Sequence, residues 1–454
     1  MTGPDANDPG LLSPAETSLL VDLYELNMAA VYHRDGLDDT AIFELFVRHL
    51  PPRRDWLLAA GLGPTLRLLT EMRFGQPELK YLAERGFEAS FLDRLAMFRF
   101  GGDVDALPEG TLAFAGEPLL RVTAPRIEAQ LIETLLLNQL NFQTMAATKA
   151  ARVVLAAGGG EPGHGDRVVD FSPRRDHGAD AAMKVARSAA VAGCAGTSNV
   201  AAAMRYGLTP LGTMAHSFVL SYPDERAAFE AYLRAFPDNT TLLVDTYEVE
   251  EGVRNAITAS QETGVPLGGI RIDSGELEPL AQKARQLLDE AGMSNTEITV
   301  SGDLEEVRIA ELVASGAPID RFGVGTDLGT SRDSPTVNGV YKLVADLGAG
   351  GWRGVRKLSA QKETLPGPKQ VWRRTEDGVI RGDTVSPEGE EAEGEPLLVP
   401  AMRRGEVLRE ESLAEIAART EAGLAALPPA LRAPEGGDAE PYPVDFSATF
   451  SAAS

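Results

Sequence analysis

The run VVDFSPRRDHG, residues 168–178, ends a short apolar stretch with two arginines and a histidine. A guanidinium grips phosphate or carboxylate through two parallel N–H donors, a geometry that lysine lacks. Arg174 and Arg175 therefore point to an anionic ligand, although adjacent side chains diverge and one of the two can equally serve a structural ion pair. His216, in GTMAHSFV, is one of five histidines and follows an apolar run; its imidazole is either a reacting group or a hydrogen-bonded structural one. Asp273, in GGIRIDSGEL, precedes a Ser-Gly pair and can accept hydrogen bonds from a sugar diol, with Gly275 allowing close backbone approach. The plainer alternative makes this stretch a helix-capping turn. Asp303 opens DLEE, which matches a capping box with Glu306 three residues on. FGVGTDLGT, residues 322–330, is glycine-rich after an apolar run and suits backbone N–H groups presented to a phosphate, a weak signal taken alone.

Short β-rich runs alternate with helical ones through the middle of the chain. VVDF (168–171) precedes a helix near 179–192, and LGTMA (211–215) precedes PDERAAFEAYLRAF, whose Pro223 suits a first helical turn. LLVDTY (242–247), GGIRIDS (268–274), EITVSG (297–302) and FGVG (322–325) continue the pattern, with helical stretches between them. This alternation predicts an α/β fold with parallel β/α units, and about six units between 165 and 330 favour an irregular or incomplete barrel. Asp170 and Arg174, His216, Asp245, Asp273, Ser301 with Asp303, and Gly325 with Thr326 all fall at or just past the C-terminal end of a strand. In a β/α barrel those ends share one face, where active sites sit.

Residues 126–150 carry apolar positions at helical spacing and predict a long buried helix, with the GGG at 158–160 as a stop. SLLVDLYELNMAAVY (18–32) also reads as a helix, and composition alone assigns Tyr24 to its core side. Residues 1–13 and 433–454 read as loosely held tails, and SPEGEEAEGEP (386–396) as an acidic loop. With 43 Lys plus Arg against 67 Asp plus Glu, the formal net charge is -24, which argues against nucleic acid or an anionic membrane as partner. A single cysteine, Cys194, excludes an intrachain disulfide or cysteine-built zinc site and fits a reducing, cytoplasmic setting. The N-terminus has no signal-peptide pattern, and no apolar run approaches the roughly 20 residues of a membrane span. Walker, Rossmann and zinc motifs are missing, and Lys184 lies in a helical stretch rather than at a strand end, unlike a Schiff-base lysine.

DLYELNMA (22–29), FELFVRHLP (43–51), LPEGTLAFAGEPLLRV (107–122), ETLLLNQLNFQTMAATKAAR (133–152), GTSNV (196–200), GTMAHSFV (212–219), LLVDTY, GIRIDSGEL (269–277), FGVGT and KLSAQKETLPGPKQVWR (357–373) occur in an order and spacing that closely resemble nicotinate phosphoribosyltransferase, of the type II phosphoribosyltransferase group. The resemblance implies formation of nicotinate mononucleotide and pyrophosphate from nicotinate and 5-phosphoribosyl 1-pyrophosphate, with ATP hydrolysis and magnesium, in NAD salvage. Metal ligands are not assigned. It also implies an N-terminal α/β sandwich domain (14–135, completed by part of 340–400), a barrel-like catalytic domain (136–340) and a smaller C-terminal region (341–432). His216 matches the histidine that ATP phosphorylates in that family, and Arg174 and Arg175 match its arginine pair. Arg271, Asp273 and Gly275 match its ribose-side segment, while Gly302, Gly323, Gly325 and Thr326 match its 5-phosphate loops. Ser217, next to His216, is carried over as substrate-binding. Tyr24 and Phe171 match the aromatics that sandwich the pyridine ring, with Tyr24 arriving from the second subunit of a homodimer. Ser198 stands where nicotinamide-using relatives carry an aspartate, so the acid is preferred to the amide. The alternatives are a nicotinamide phosphoribosyltransferase, a quinolinate phosphoribosyltransferase and a barrel that binds mononucleotides without catalysis.

Overall fold

The computed structural model of the chain describes residues 5–8, 11, 17–348, 350–357, 364–437 and 439–452. It divides into two compact units: Met1–Thr148 with Asp333–Leu431 and Gly436–Ser454, and Lys149–Arg332 with Arg432–Glu435. The divisions fall after Thr148 and Arg332, where the sequence places them after 135 and 340.

The second unit holds a six-stranded parallel sheet in the order Gly196–Thr197, Val168–Asp170, Arg321–Val324, Glu297–Ser301, Gly269–Ile272, Thr241–Leu243. Val168, Leu242, Leu243, Ile270, Ile272, Ile298, Val300, Phe322 and Val324 in these strands are all 0 % exposed. Near-continuous apolar strands of this kind need cover on both faces, which crossover helices provide. Those helices are Ala179–Val191, Val200–Tyr206, Glu225–Ala235, Val249–Thr263, Leu277–Glu290 and Glu306–Ala314. The two edge strands do not pair with each other, so the curled sheet stays an open half-barrel, as the α/β reading of an incomplete barrel expects.

Three local expectations are corrected. LGTMA at 211–215 forms no strand; the chain meets the sheet through the Thr197–Pro210 bridge, with Thr197 N donating to Thr209 O and Leu211 N to Thr197 O, and the edge strand is Gly196–Thr197 instead. Pro210 has no N–H to extend a ladder. Pro223 precedes rather than opens its helix, because Asp224 caps it by accepting from Ala227 N. The expected capping box at Asp303 fails because Glu305 caps that helix, accepting from Val307 N and Arg308 N. Glu306 is 0 % exposed and pairs with Lys149 and, at 3.1 Å, with Arg152, while Asp303 adopts a left-handed φ of 46°.

In the first unit, seven strands form an antiparallel sheet in the order Gly351–Gly354, Gly339–Gly348, Thr40–Val47, Pro118–Pro125, Asp103–Ala106, Val399–Arg403, Glu406–Val407. Phe43 stacks on Tyr341 at 4.9 Å across that sheet, in a core with Leu45, Leu120 and Val122. The predicted long helix is broken once, into Arg126–Leu131 and Glu133–Ala157, and ends where Gly159 and Gly160 take φ of 67° and 93°. The expected tail at 433–454, of which 438, 453 and 454 lie outside the described residues, is tied down where it is described. Val444–Phe446 pairs with Val379–Pro387, Tyr442 stacks on Phe114 at 3.7 Å, and its hydroxyl donates to Asp383 at 2.8 Å. Aromatic burial outweighs the Gly/Pro-rich composition that suggests looseness. The acidic 386–396 stretch is bounded by strands, and Glu388 within it pairs with Arg121 at 2.6 Å. Residues 1–4, 9–10 and 12–13 of the expected N-terminal tail, and 358–363 of the KLSAQKETLPGPKQVWR segment, lie outside the described residues. No helix among the described residues is long and apolar enough to cross a membrane.

Candidate active site at the strand ends

Each parallel strand of the second unit delivers a polar group as its ladder ends. Asp170 closes Val168–Asp170 and is fully buried. Its Oδ1 accepts from Ser172 N at 2.9 Å and Ser172 Oγ at 2.6 Å, and its Oδ2 from Thr197 Oγ1 at 2.7 Å. Burial raises its pKa against the pull of those bonds. Asp170 thus anchors the 171–176 turn rather than facing a ligand. That turn leaves Arg174 and Arg175 exposed, and neither guanidinium has a partner among the described residues.

Phe171 lies over the neighbouring strand end, where Gly323 is required: a Cβ there would come within 2.4 Å of the ring. Arg271 packs over the Phe171 ring at 5.4 Å, a cation–π contact. The same guanidinium donates to Ser301 Oγ at 2.9 Å, Thr213 Oγ1 at 3.2 Å and Asp273 Oδ1 at 2.7 Å. Burial pushes the Asp273 pKa up, but the Ser301 and Arg271 hydrogen bonds and the charges of Arg271 and His216 outweigh it and hold the carboxylate below its ordinary range. Gly302, at φ 93°, is fixed by close approach as well, since a Cβ would fall 2.0 Å from the Asp273 carbonyl oxygen.

His216 begins the helix His216–Leu220. Its Nδ1 lies 3.2 Å from Thr246 Oγ1, while Nε2 stands 3.9 Å from Asp245 Oδ1 and 4.0 Å from Asp273 Oδ2. Asp245 Oδ2 is engaged by Asp273 N at 2.9 Å and Ser274 Oγ at 2.8 Å, whereas its Oδ1 is buried with no hydrogen bond. The result is an imidazole fixed at one nitrogen and open at the other, beside two carboxylates, one of which is paired with the arginine that backs the Phe171 ring. Such a set can accept a phosphoryl group at Nε2 and hold a flat ring next to an anion.

The chain matches the N-terminal domain of nicotinate phosphoribosyltransferase over residues 19–141 and the nicotinate phosphoribosyltransferase family over 167–364. The chain belongs to that family. The nicotinate phosphoribosyltransferase pncB2 of Mycobacterium tuberculosis is 46% identical over 435 residues, covering 95% of this chain and 91% of the relative. The human nicotinate phosphoribosyltransferase is 33% identical over 422 residues, covering 79% of this chain and 77% of the relative. The crystal structure of human nicotinic acid phosphoribosyltransferase superposes with a TM-score of 0.82 at 29% identity, covering 95% of this chain and 98% of that one. Nicotinate phosphoribosyltransferases are enzymes of NAD salvage, and this chain is one of that class.

In this family member the second unit brings His216, Phe171, Arg271, Asp273 and Gly302 into one contact network, with Gly323 beneath Phe171. Ser198 follows the Gly196–Thr197 strand, and its Oγ is buried without a partner. Ser217 is exposed on the first turn of the His216 helix, Gly275 takes φ 87°, and Gly325 and Thr326 start the short helix Thr326–Thr330. Tyr24 belongs to the first unit and is 48% exposed on Leu23–Asp35, which overturns the core reading of its composition. Its pKa is raised, first by burial and then by the charges of Glu133 and Glu25. Sequence reasoning missed Thr246 and Thr213, the hydroxyls that fix His216 and Arg271. The signal for Thr246 was present, since it follows Asp245 just past the end of a strand.

Proposed function

We propose that this chain condenses nicotinate with phosphoribosyl pyrophosphate and couples the step to ATP through a phosphohistidine at His216. The arrangement around that imidazole is the observation that carries this reading. A nitrogen that attacks the γ-phosphorus must keep its lone pair, which puts the proton on the other ring nitrogen. With Nδ1–H donating to Thr246 Oγ1, Nε2 is the nucleophile: an N–P bond forms, the bond to the ADP oxygen breaks, and ADP leaves with that electron pair. Water later cleaves the N–P bond to release phosphate.

The glycosyl step needs no base, because the pyridine nitrogen already carries its lone pair. It attacks the anomeric carbon as the bond to pyrophosphate breaks, so positioning and charge stabilisation dominate. We assign the pyridine ring to the face of Phe171 backed by Arg271, its carboxylate to the unpartnered Ser198 hydroxyl, and the donor's phosphates to Arg174, Arg175 and the backbone near Gly302, Gly323, Gly325 and Thr326. Asp273 and Gly275 take the ribose, and Ser217 lies next to the phosphorylated imidazole. Magnesium commonly binds one or two carboxylates together with substrate phosphates. Asp245, with its bare buried Oδ1, and Asp273 fit that role, although no group of three or more acidic, His or Cys side chains suited to a metal occurs among the described residues. When bound, the ion would offset pyrophosphate charge. We read Tyr24 as supplied by a second copy of the chain, because it sits exposed beside Leu23, Met28 and Val31 on one helix, and we place the enzyme in the cytoplasm.

Labelling with γ-phosphate-labelled ATP tests the assignment. The wild type should acquire acid-labile, base-stable label, and His216→Ala should acquire none while keeping only ATP-independent turnover. Equal labelling of the variant would remove His216 from the mechanism.

A further inference from the structure

Beneath the arginine pair lies a second carboxyl group that neither the strand-end pattern nor the family resemblance assigns. Asp176 Oδ2 lies 3.1 Å from Ser172 Oγ, which itself lies 2.6 Å from Asp170 Oδ1. A serine hydroxyl has one proton. Asp170 also accepts from Ser172 N and Thr197 Oγ1, the environment of an ionised carboxylate, and takes the Ser172 proton at the shorter distance. The contact between Ser172 Oγ and Asp176 Oδ2 then needs a proton from Asp176. The other oxygen agrees: Asp176 Oδ1 is buried without a hydrogen bond, pressed against Gly329, where a Cβ would come within 1.9 Å of it. A neutral carboxyl tolerates such an environment far better than a carboxylate.

We propose that Asp176 is a positioning residue that, as a neutral acid donating to Ser172, holds the arginine turn in its donor-binding form, and that its ionisation weakens binding of the phosphorylated sugar. The inference rests on the reading of Arg174 and Arg175 as phosphate ligands. An ionised Asp176 loses its bond to Ser172 and adds a negative charge two residues from Arg174 and next to Arg175. Burial, and then the charge of Asp170, raise its pKa to about 6, so the switch lies within reach of ordinary assay conditions. The other charged groups around it are Arg174, Arg175 and His177 on its own turn, Asp327 with Arg332 beside the Gly329 segment, and Asp180 with Lys184 on the following helix. Asp327 and Arg332 are paired at 3.0 Å, and Asp180 is paired with Lys184, which leaves Asp170 as the dominant charge on Asp176.

The test is calorimetric binding of phosphoribosyl pyrophosphate with magnesium, without nicotinate, between pH 5.5 and 7.5. Asp176→Asn keeps a donor to Ser172 and cannot ionise. The donor's own phosphate titrates near pH 6, but equally for both proteins, so the ratio of their dissociation constants isolates Asp176. The wild type should match Asp176→Asn at pH 5.5 and bind several-fold more weakly at pH 7.5. The ceiling is about 25-fold, the ratio of protonated fractions for a midpoint near 6. Asp176→Ala, lacking the donor, should bind the sugar weakly at both pH values while its KM for nicotinate stays within about twofold. A wild-type to Asp176→Asn ratio that does not change with pH overturns the proposal, as does equal loss for both substrates in Asp176→Ala. No donor binding by the wild type at either pH would defeat the functional reading itself.

Discussion

His216 and Asp245 show how little separates a reacting group from a supporting one at the scale of single residues. Both follow an apolar run and both stand out in the sequence, but only Asp245 lies past a strand, since the run before His216 forms none. What distinguishes them is which atoms remain free, and that depends on Thr246, Ser274 and the Asp273 backbone N–H, contacts between segments about 30 residues apart. Phe171 was legible only through resemblance, because a phenylalanine after a strand is most often core; in the structure its ring lies against Gly323 with the Arg271 guanidinium over it. Stacking on an aromatic face is worth roughly 1–3 kcal/mol. Phe171→Ala should therefore raise KM for nicotinate about 10-fold or more in steady-state assays, with a much smaller change for phosphoribosyl pyrophosphate. Equal losses for both would mark Phe171 as structural. The misreading of Tyr24 has the opposite origin: apolar neighbours in sequence do not bury a side chain when the helix face they form is itself exposed.

At the scale of elements, five of the six parallel strands were readable because buried parallel strands are short and continuously apolar. The sixth was misplaced. Gly196–Thr197 has two residues and no apolar run, while LGTMA has the composition of a strand but follows Pro210 and stays off the ladder. Helix caps were equally ambiguous, since DLEE offers both Asp303 and Glu305 as caps and only packing of Glu306 against Lys149 and Arg152 decides between them. Strand ends impose their own constraint on the site. Gly302 combines a left-handed φ of 93° with contact to the Asp273 carbonyl, so a side chain there must displace the segment that carries Asp273. The conformation alone costs a non-glycine residue about 1–2 kcal/mol. Gly302→Ala should lower kcat/KM for phosphoribosyl pyrophosphate at least about 10-fold while circular dichroism shows a folded protein. Undiminished kcat/KM would mean that the close approach has no bearing on the donor.

For the whole molecule, composition argues against the broad basic surface of a nucleic-acid binder, and the two arginines singled out in a chain of net charge -24 are exposed and unpartnered among the described residues. Composition misled at the C-terminus, where glycine and proline between 433 and 443 mask two anchoring aromatics, Tyr442 and Phe450. Tyr442 is 8% exposed, sandwiched by contacts to Phe114 and Asp383, and Phe450 is 5% exposed. Tyr442→Ala should destabilise the protein by about 3 kcal/mol in denaturant unfolding, as loss of a buried aromatic does, and an unchanged midpoint would return the segment to the status of a tail. The central claim concerns which ring the enzyme uses and whether ATP drives it. Pyrophosphate release from phosphoribosyl pyrophosphate and magnesium, compared for nicotinate, nicotinamide and quinolinate with and without ATP, tests both. The account predicts turnover with nicotinate that rises with ATP and little with the other rings; preference for another ring, or release indifferent to ATP, would contradict it.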